Sequence, residues 1–464
     1  MKTIVLMSDS LRRDYVGAYG NSWIKTPVLD EFAQKAVVFD KAYAASFPTV
    51  PNRADIMLGR HAFNFMGWEP VPRNLPNLAQ MANADGRTVS MMITDTPHGV
   101  QNGFYLNRDF TAWEWIRGQE SDRLRTDYVA REVLPCSPDL LRQREKLRRM
   151  HYLNTHFRRN ERDCFVARTM ATAADWLEAN YKHDNFLLYI DTFDPHEPWD
   201  APEYYLKMYE KDYDGININY PDYVPVERYK PEEIQHCRNL YAAEVTLVDT
   251  WIGEVLRKVD VLGIAEETAI IIMSDHGFYL GEHNHIGKFR QDKPMPLFDE
   301  VAGLVMMAHV PGKAWRHGEH SSALVQPTDI LPTILDLAGQ PVPHWCEGKS
   351  MVPMLKKRGN GNNGRKIAIT TARLTTPDVQ PSWDKGGFVS ITDGVHTLMY
   401  GGASYPSQLY HTEKDPRQTK DIILKNVKVA RALHAEFLNV LTEFKTDAAL
   451  MQAYSTDPMA AFAD

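Results

Sequence analysis

A chain of 464 residues with 44% hydrophobic and 11% aromatic content can bury a large core, and at roughly 100 to 200 residues per domain it has room for two or three units. The 52 Lys+Arg against 60 Asp+Glu leave a net charge of -8, which disfavours a binder of the nucleic-acid phosphate backbone and favours a small or medium-sized substrate. No stretch approaches the ~18 uninterrupted apolar residues of a membrane span, so a soluble cytoplasmic protein with no membrane partner is expected, with homo-oligomerisation left open.

The opening MKTIVLM is cut short by Ser8, Asp9 and Ser10, with no small-residue cleavage site after it, and reads as a first buried strand over Thr3 to Met7 rather than a signal peptide. Thr26-Pro27 marks a helix start, with Thr as N-cap and Pro in the first turn. Residues 142 to 162 are Arg-rich with a few aromatics and read as a solvated helix or a lid segment. Phe186 to Ile190 and Ala269 to Met273 are further buried strands. Between them Val245, Val248, Trp251, Ile252, Val255, Leu256 and Val259 recur at three- and four-residue steps, the signature of an amphipathic helix. Short apolar runs alternating with helical periodicity imply a layered α/β fold with a mostly parallel sheet. The Gly/Asn-rich stretch from Lys356 to Lys366 reads as an exposed loop. Strand-like pieces at Phe388 to Thr392 and His396 to Tyr400, and a final helix from about Val427 to Phe444, suggest a smaller C-terminal α+β subdomain. The division expected is a catalytic α/β domain over 1–345 and this subdomain over 346–464. Cys136, Cys164, Cys237 and Cys346 are far apart, match no zinc or redox spacing, and read as reduced thiols.

Asp9, Asp191 and Asp275 all stand at the ends of apolar strands, on the edge where ligands gather in open α/β sheets. In Thr49-Val50-Pro51-Asn52-Arg53, Pro51 fits a first helical turn. This places Thr49 at or near an N-cap, beside unpaired N–H groups and the positive end of the helix dipole. Arg53, one turn on, is expected to reach back to the Thr49 hydroxyl and to a bound tetrahedral anion. Ser274-Asp275-His276-Gly277 follows a strand, with Gly281-Glu282-His283 and Lys288 close behind. A carboxylate and an imidazole at a strand end suit a divalent cation, and with Asp9 and Thr49 they make a four-ligand site. His317 and His320 are spare ligand candidates, but no convincing set for a second metal is present.

Thr49 to Arg60 resembles the sulfatase family's pattern of Cys or Ser, any residue, Pro, any residue, Arg, ending in Leu-Thr-Gly-Arg. Ser274 through Lys288 is similar to the family's SDHG and GEH-to-Lys stretch. Asp194-Pro195-His196-Glu197-Pro198 resembles its DPHxP segment. Gly17 to Gly20, Lys25 to Pro27, Asp329 to Asp336 and Leu409 to Pro416 resemble further family stretches in the right order, so the likeness spans about residues 1 to 425.

The resemblance implies an alkaline phosphatase-like three-layer sandwich. It implies a metal site of Asp9, Thr49, Asp275 and His276, with Thr49 also the nucleophile. Arg53 would steady the nucleophile, Lys288 would bind the transferred group's oxygens, and His196 would protonate the leaving oxygen. One divalent ion is expected: Mn²⁺, Zn²⁺, Ca²⁺ or Mg²⁺.

The sequence departs from the pattern at three places. The family's Cys or Ser is oxidised to formylglycine, an aldehyde that a β-branched Thr cannot form. An unmodified Thr can instead attack phosphorus. The family's paired first-strand aspartates are Asp9-Ser10 here, and its GKWH segment is Thr94-Asp95-Thr96-Pro97-His98. These changes resemble the phosphonate monoester hydrolase and phosphodiesterase branch and make Asn64 and Thr94 substrate-contact candidates. The expected reaction is hydrolysis of a small anionic phosphodiester or phosphonate monoester through a Thr49 intermediate. A sulfatase with a replaced formylglycine position and a lapsed enzyme that binds an anion are the alternatives.

Overall fold

The computed structural model describes residues 1–127, 136–142, 146–289, 294–357, 364–372 and 387–462. Most of the Lys356 to Lys366 loop expectation therefore lies outside the described residues. The large sheet comprises β1 (Lys2–Ser8), β2 (Val37–Ala42), β3 (Val89–Thr94), β4 (Ala112–Trp115), β5 (Phe186–Thr192), β6 (Thr268–Ser274), β7 (Met306–His309) and β8 (Glu319–Val325). Their order is β8-β2-β7-β6-β1-β5-β3-β4, with β7 antiparallel to its neighbours and the other pairings parallel. This is the mostly parallel sheet that the apolar runs imply.

Every residue of β1, β5 and β6 is buried, because layers cover both faces of the sheet. Ile4 and Leu6 share one core with Val245, Val248, Ile252 and Val255 of a helix, α3 (Pro231–Val261). A second helix, α2 (Phe165–Asn180), lies on the same side through Val166, Met170 and Leu177. Val5 and Met7 point the other way, into a core with Ile56 and Met57 of α1 (Thr49–Leu58) and with Ile330 and Leu331. The 31 residues of α3 extend well beyond the run read from its apolar steps. Pro231 is in its first turn with Glu232 and Glu233, which suit the positive end of the helix.

The helix at Pro27–Ala33 begins where Thr26-Pro27 indicates, with Thr26 at the N-cap, but the Thr26 side chain makes no capping hydrogen bond. Thr26 Oγ1 instead accepts from Gly17 N at 2.8 Å, and Asp249 on α3 accepts from Val28 N and Leu29 N at 3.1 and 2.8 Å. The Arg-rich segment is only partly solvated. His151 and Asn154 are buried on the helix Lys146–Thr155, and Arg158 pairs with Asp200 at 2.7 Å. The four cysteines are free thiols, with Cys164 and Cys237 buried.

A second sheet runs through β9 (Ala368–Ala372), β10 (Val389–Thr392), β11 (His396–Tyr400) and β12 (Gln408–His411). Its core is shared with Leu433, Phe437 and Leu441 of α4 (Val427–Glu443). The two-residue strand Ser46–Phe47 joins this sheet beside β9, so the C-terminal layer grips the chain just before Thr49.

Asp55 ties that strand to α1. Its carboxylate accepts from Ser46 N and Oγ at 2.6 and 2.8 Å and from Ala62 N at 2.7 Å. Alanine at position 55 strands two buried N–H groups, each worth about 1–3 kcal/mol, so a loss of roughly 3–5 kcal/mol in denaturant-measured stability is expected. A change below about 1 kcal/mol would contradict that role. The far end of α1 closes at Gly59 with φ +59, where a Cβ would lie 2.8 Å from Cys346 Sγ.

Candidate active site

The register of the three central strands brings the site together. Ser8 is level with Thr192 and Ser274, so Asp9 and Asp275 leave neighbouring strand ends side by side. Asp191, one residue inside β5, is level with Met7 and Thr94. Ligand atoms of Asp9, Asp275 and His276 lie within 4.8 Å of one another, all buried, and among the described residues they form the one carboxylate–imidazole cluster of metal-holding geometry. Thr49 Oγ1 is 3.5 Å from His276 Nε2. Ser10, at φ +61, turns back so that its N–H donates to Asp275 Oδ1 at 2.9 Å and its hydroxyl to Asp9 Oδ1 at 2.7 Å. Gly277 is required after His276, since a Cβ there would lie 2.0 Å from the Glu300 carbonyl oxygen.

The chemistry of these donors fits a divalent cation. His276 Nδ1 lies 3.0 Å from the Gly277 carbonyl, which only accepts, so the ring proton sits on Nδ1 and the Nε2 lone pair faces the carboxylates. Burial, reinforced by Lys288, pushes the His276 pKa well down and keeps the ring neutral. Burial, then the charge of Asp9, pushes Asp275 up to about 8. Burial opposes ionisation of Asp9 as well, but Lys288 and Arg53 hold its pKa well below the ordinary value. Asp9 Oδ2 accepts no hydrogen bond although it is buried. When ionised, Asp9, Asp191 and Asp275 outnumber the cations Arg53 and Lys288 in this dry space, an excess that a metal ion would neutralise.

Arg53 differs from expectation. Its Nη1 donates to the Thr49 carbonyl at 3.2 Å, not to the hydroxyl, because the side chain is claimed by three carboxylates. Nε and Nη2 form a fork on Asp191 at 2.9 and 2.7 Å, and Nη1 donates to Asp275 Oδ2 at 2.7 Å and lies 3.1 Å from Asp9 Oδ2. It therefore holds the three carboxylates in place. Thr49 is the first helical residue and Pro48 the N-cap, one position earlier than a capping Thr would need. Asn52 secures α1 to the loop after β6 by donating Nδ2 to the Asp275 carbonyl at 2.8 Å.

Lys288 Nζ is 3.7 Å from Asp9 Oδ1, inside the cluster. His196 lies within electrostatic reach of Lys288 and Asp9 and stacks on Phe193 with centroids 3.8 Å apart. Two placements depart from the sequence reading. Thr94 Oγ1 accepts from Thr96 N at 3.0 Å and supports the turn, whereas Thr96 Oγ1 lies 3.4 Å from Arg53 Nη2 and donates to Asp191 at 3.2 Å. Thr96 is thus the threonine that reaches the site. Asn64 Oδ1 accepts from Thr446 Oγ1 at 3.3 Å, which ties its side chain to the C-terminal layer rather than to the carboxylate–imidazole cluster. His317 bonds to Lys35 and Gly312 carbonyls and His320 to Asp40, so both are committed elsewhere. Asp191, Asn52 and Thr96 carry site contacts that no sequence motif assigned to them. Only the strand-end position of Asp191 hinted at its place.

Burial pushes His196 down to about 4. Its unfolded pKa is ~6.5, so between these values the unfolded chain holds more protons and stability falls as pH falls from about 6.5 to about 4. His196→Asn is expected to remove on the order of 2–3 kcal/mol of that acid loss, read as a smaller difference between urea midpoints at about pH 7 and about pH 4.5 in EDTA-treated protein. An unchanged difference would contradict a buried neutral imidazole.

Residues 2–340 match the sulfatase family, and residues 281–445 match the N-sulphoglucosamine sulphohydrolase C-terminal family. The chain belongs to the sulfatase family. This sulfatase-family chain is accordingly a hydrolase, and its α/β fold with a large, mostly parallel central sheet is alkaline phosphatase-like. An ulvan-active sulfatase of Formosa agariphila is 25% identical over 437 residues, covering 91% of this chain and 77% of the relative. Iduronate 2-sulfatase of Mus musculus is 25% identical over 409 residues, covering 75% and 70%. The crystal structure of a phosphonate monoester hydrolase of Agrobacterium radiobacter superimposes with a TM-score of 0.75 at 20% identity, covering 96% of this chain and 97% of that one.

Proposed function

We propose that this protein is a hydrolase of small anionic phosphodiesters or phosphonate monoesters that uses Thr49 as a covalent phosphoryl carrier and one divalent ion held by Asp9, Thr49, Asp275 and His276. The observation that carries the reading is Thr49 itself: a hydroxyl 3.5 Å from His276 Nε2, the nitrogen that clusters with Asp9 and Asp275, on a β-branched carbon that cannot become an aldehyde. When bound, the ion, which Mn²⁺, Zn²⁺, Ca²⁺ or Mg²⁺ would suit, lowers the pKa of the Thr49 hydroxyl and polarises the ester.

The chain's own residues do the rest. Thr49 Oγ, its proton released to water, attacks phosphorus in line and the bond to the leaving oxygen breaks; His196, protonated on Nε2 once the anionic ester is bound, gives that oxygen its proton. Water then attacks the phospho-threonine and frees the hydroxyl. Lys288 offsets charge on the transferred group's oxygens, and Arg53 fixes the carboxylates around it. A soluble cytoplasmic setting, without nucleic-acid or membrane partners, goes with this reading. The relatives' names support a second one, sulfate ester hydrolysis with Thr49 in place of the oxidisable residue.

A direct comparison separates the two. With Mn²⁺ or Zn²⁺, the protein is expected to hydrolyse bis-p-nitrophenyl phosphate much faster than p-nitrophenyl sulfate. Equal or faster sulfate turnover would overturn the phosphodiester reading.

A further inference from the structure

Glu197 lies next to the proton donor, and its carboxylate is built in rather than incidental. It is fully buried. Oε1 accepts from Tyr223 Oη at 2.6 Å and from Arg142 Nη1 at 2.9 Å, and Arg142 also donates to Tyr223 Oη at 2.7 Å. Oε2 accepts no hydrogen bond and stands 3.3 Å from His196 Nδ1. That nitrogen lies 2.6 Å from the Glu197 carbonyl oxygen, an acceptor only, so the Nδ1 proton is fixed and Nε2 is the ring atom left to exchange a proton. Phe193, stacked on the imidazole, keeps the ring from turning.

We infer that Glu197 is a positioning residue for leaving-group protonation: its main chain fixes the His196 tautomer, and its carboxylate, clamped by Tyr223 and Arg142, stabilises the imidazolium that delivers the proton. In the step, the Nε2–H bond breaks and the bond from hydrogen to the leaving oxygen forms. The ring's positive charge disappears and Nδ1 keeps its proton. The charged groups that act on His196 are Glu197, which touches it, and Lys288, Asp9 and Glu120 at longer range. Lys288 opposes the imidazolium, and Glu197 is the carboxylate adjacent to the ring that offsets it. Glu120 is engaged elsewhere, by His98 at 3.0 Å and the Tyr220 hydroxyl at 2.7 Å.

The inference rests on the His196 role proposed above, and its test keeps the two apart. Aryl esters ranging from dinitrophenyl to unsubstituted phenyl leaving groups, of whichever class the full-length wild type turns over, are compared in wild type, Glu197→Gln, Glu197→Asp, His196→Ala and the Glu197→Gln/His196→Ala double variant. Glu197→Gln is expected to slow the phenyl ester about tenfold but the dinitrophenyl ester less than about threefold, because only a poor leaving group needs the proton. Glu197→Asp should recover most of the loss, and the double variant should be no slower than His196→Ala.

Equal slowing across the series, or losses that multiply in the double variant, would overturn the inference. A preference for sulfate would defeat the phosphodiester reading while leaving this comparison intact on the sulfate series. If neither class turns over, NMR titration of histidine-labelled protein decides: Glu197→Gln is expected to move the His196 midpoint to lower pH, and an unmoved midpoint would overturn the inference.

Discussion

Thr49→Ala is expected to lower phosphodiester turnover by roughly 10⁴-fold or more, the scale on which enzymes lose rate when a covalent nucleophile is removed. The side chain has no structural duty that would explain such a loss. It caps nothing, since Pro48 is the N-cap, and among the described residues its hydroxyl's hydrogen-bond contact is the 3.5 Å one with His276. A folded, metal-loaded but inactive Thr49→Ala protein would therefore locate the defect in chemistry. Thr49→Ser keeps the hydroxyl and should retain most of the activity. Turnover by Thr49→Ala within about tenfold of wild type would mean that water attacks directly.

Arg53→Ala is expected to destabilise the fold by about 3–5 kcal/mol, because it leaves Asp9, Asp191 and Asp275 buried around a missing cation. The guanidinium is itself fully buried, and its five donors reach all three carboxylates from one planar group. Arg53→Lys should recover only part of the loss, since an ammonium cannot fork onto Asp191 while also reaching Asp275. Added Mn²⁺ or Zn²⁺ should raise the denaturation midpoint of Arg53→Ala more than that of wild type, by replacing the missing positive charge. A loss below about 1 kcal/mol would show that the carboxylates are protonated rather than paired.

The elements that carry the Asp9–Asp275–His276 cluster were legible because each signals itself locally. Thr3 to Met7, Phe186 to Ile190 and Ala269 to Met273 are apolar runs bounded by polar turns, and parallel pairing makes their following carboxylates converge. What escaped the sequence was the choice of partner across long separations. Arg53 has a hydroxyl one turn away, yet its guanidinium goes to Asp191 and Asp275, positions 138 and 222 residues distant. Thr94 and Thr96 look alike in TDT. The turn after β3 spends the first hydroxyl on a backbone N–H and sends the second to Arg53. Asn64 follows the nucleophile motif closely, but the C-terminal layer reaches in with Thr446 to claim it. Arg142 shows the same limit: a charge in an Arg-rich stretch reads as solvated until the fold sets Glu197 against it.

The covalent role of Thr49 is tested most directly by quenching the protein in acid during turnover of an aryl phosphodiester or phosphonate monoester and mapping its peptides by mass spectrometry. A phosphoryl or phosphonyl adduct on Thr49, formed at least as fast as product and absent from Thr49→Ala, is the expected result. Turnover with no adduct on Thr49, or an adduct on another residue, would contradict it.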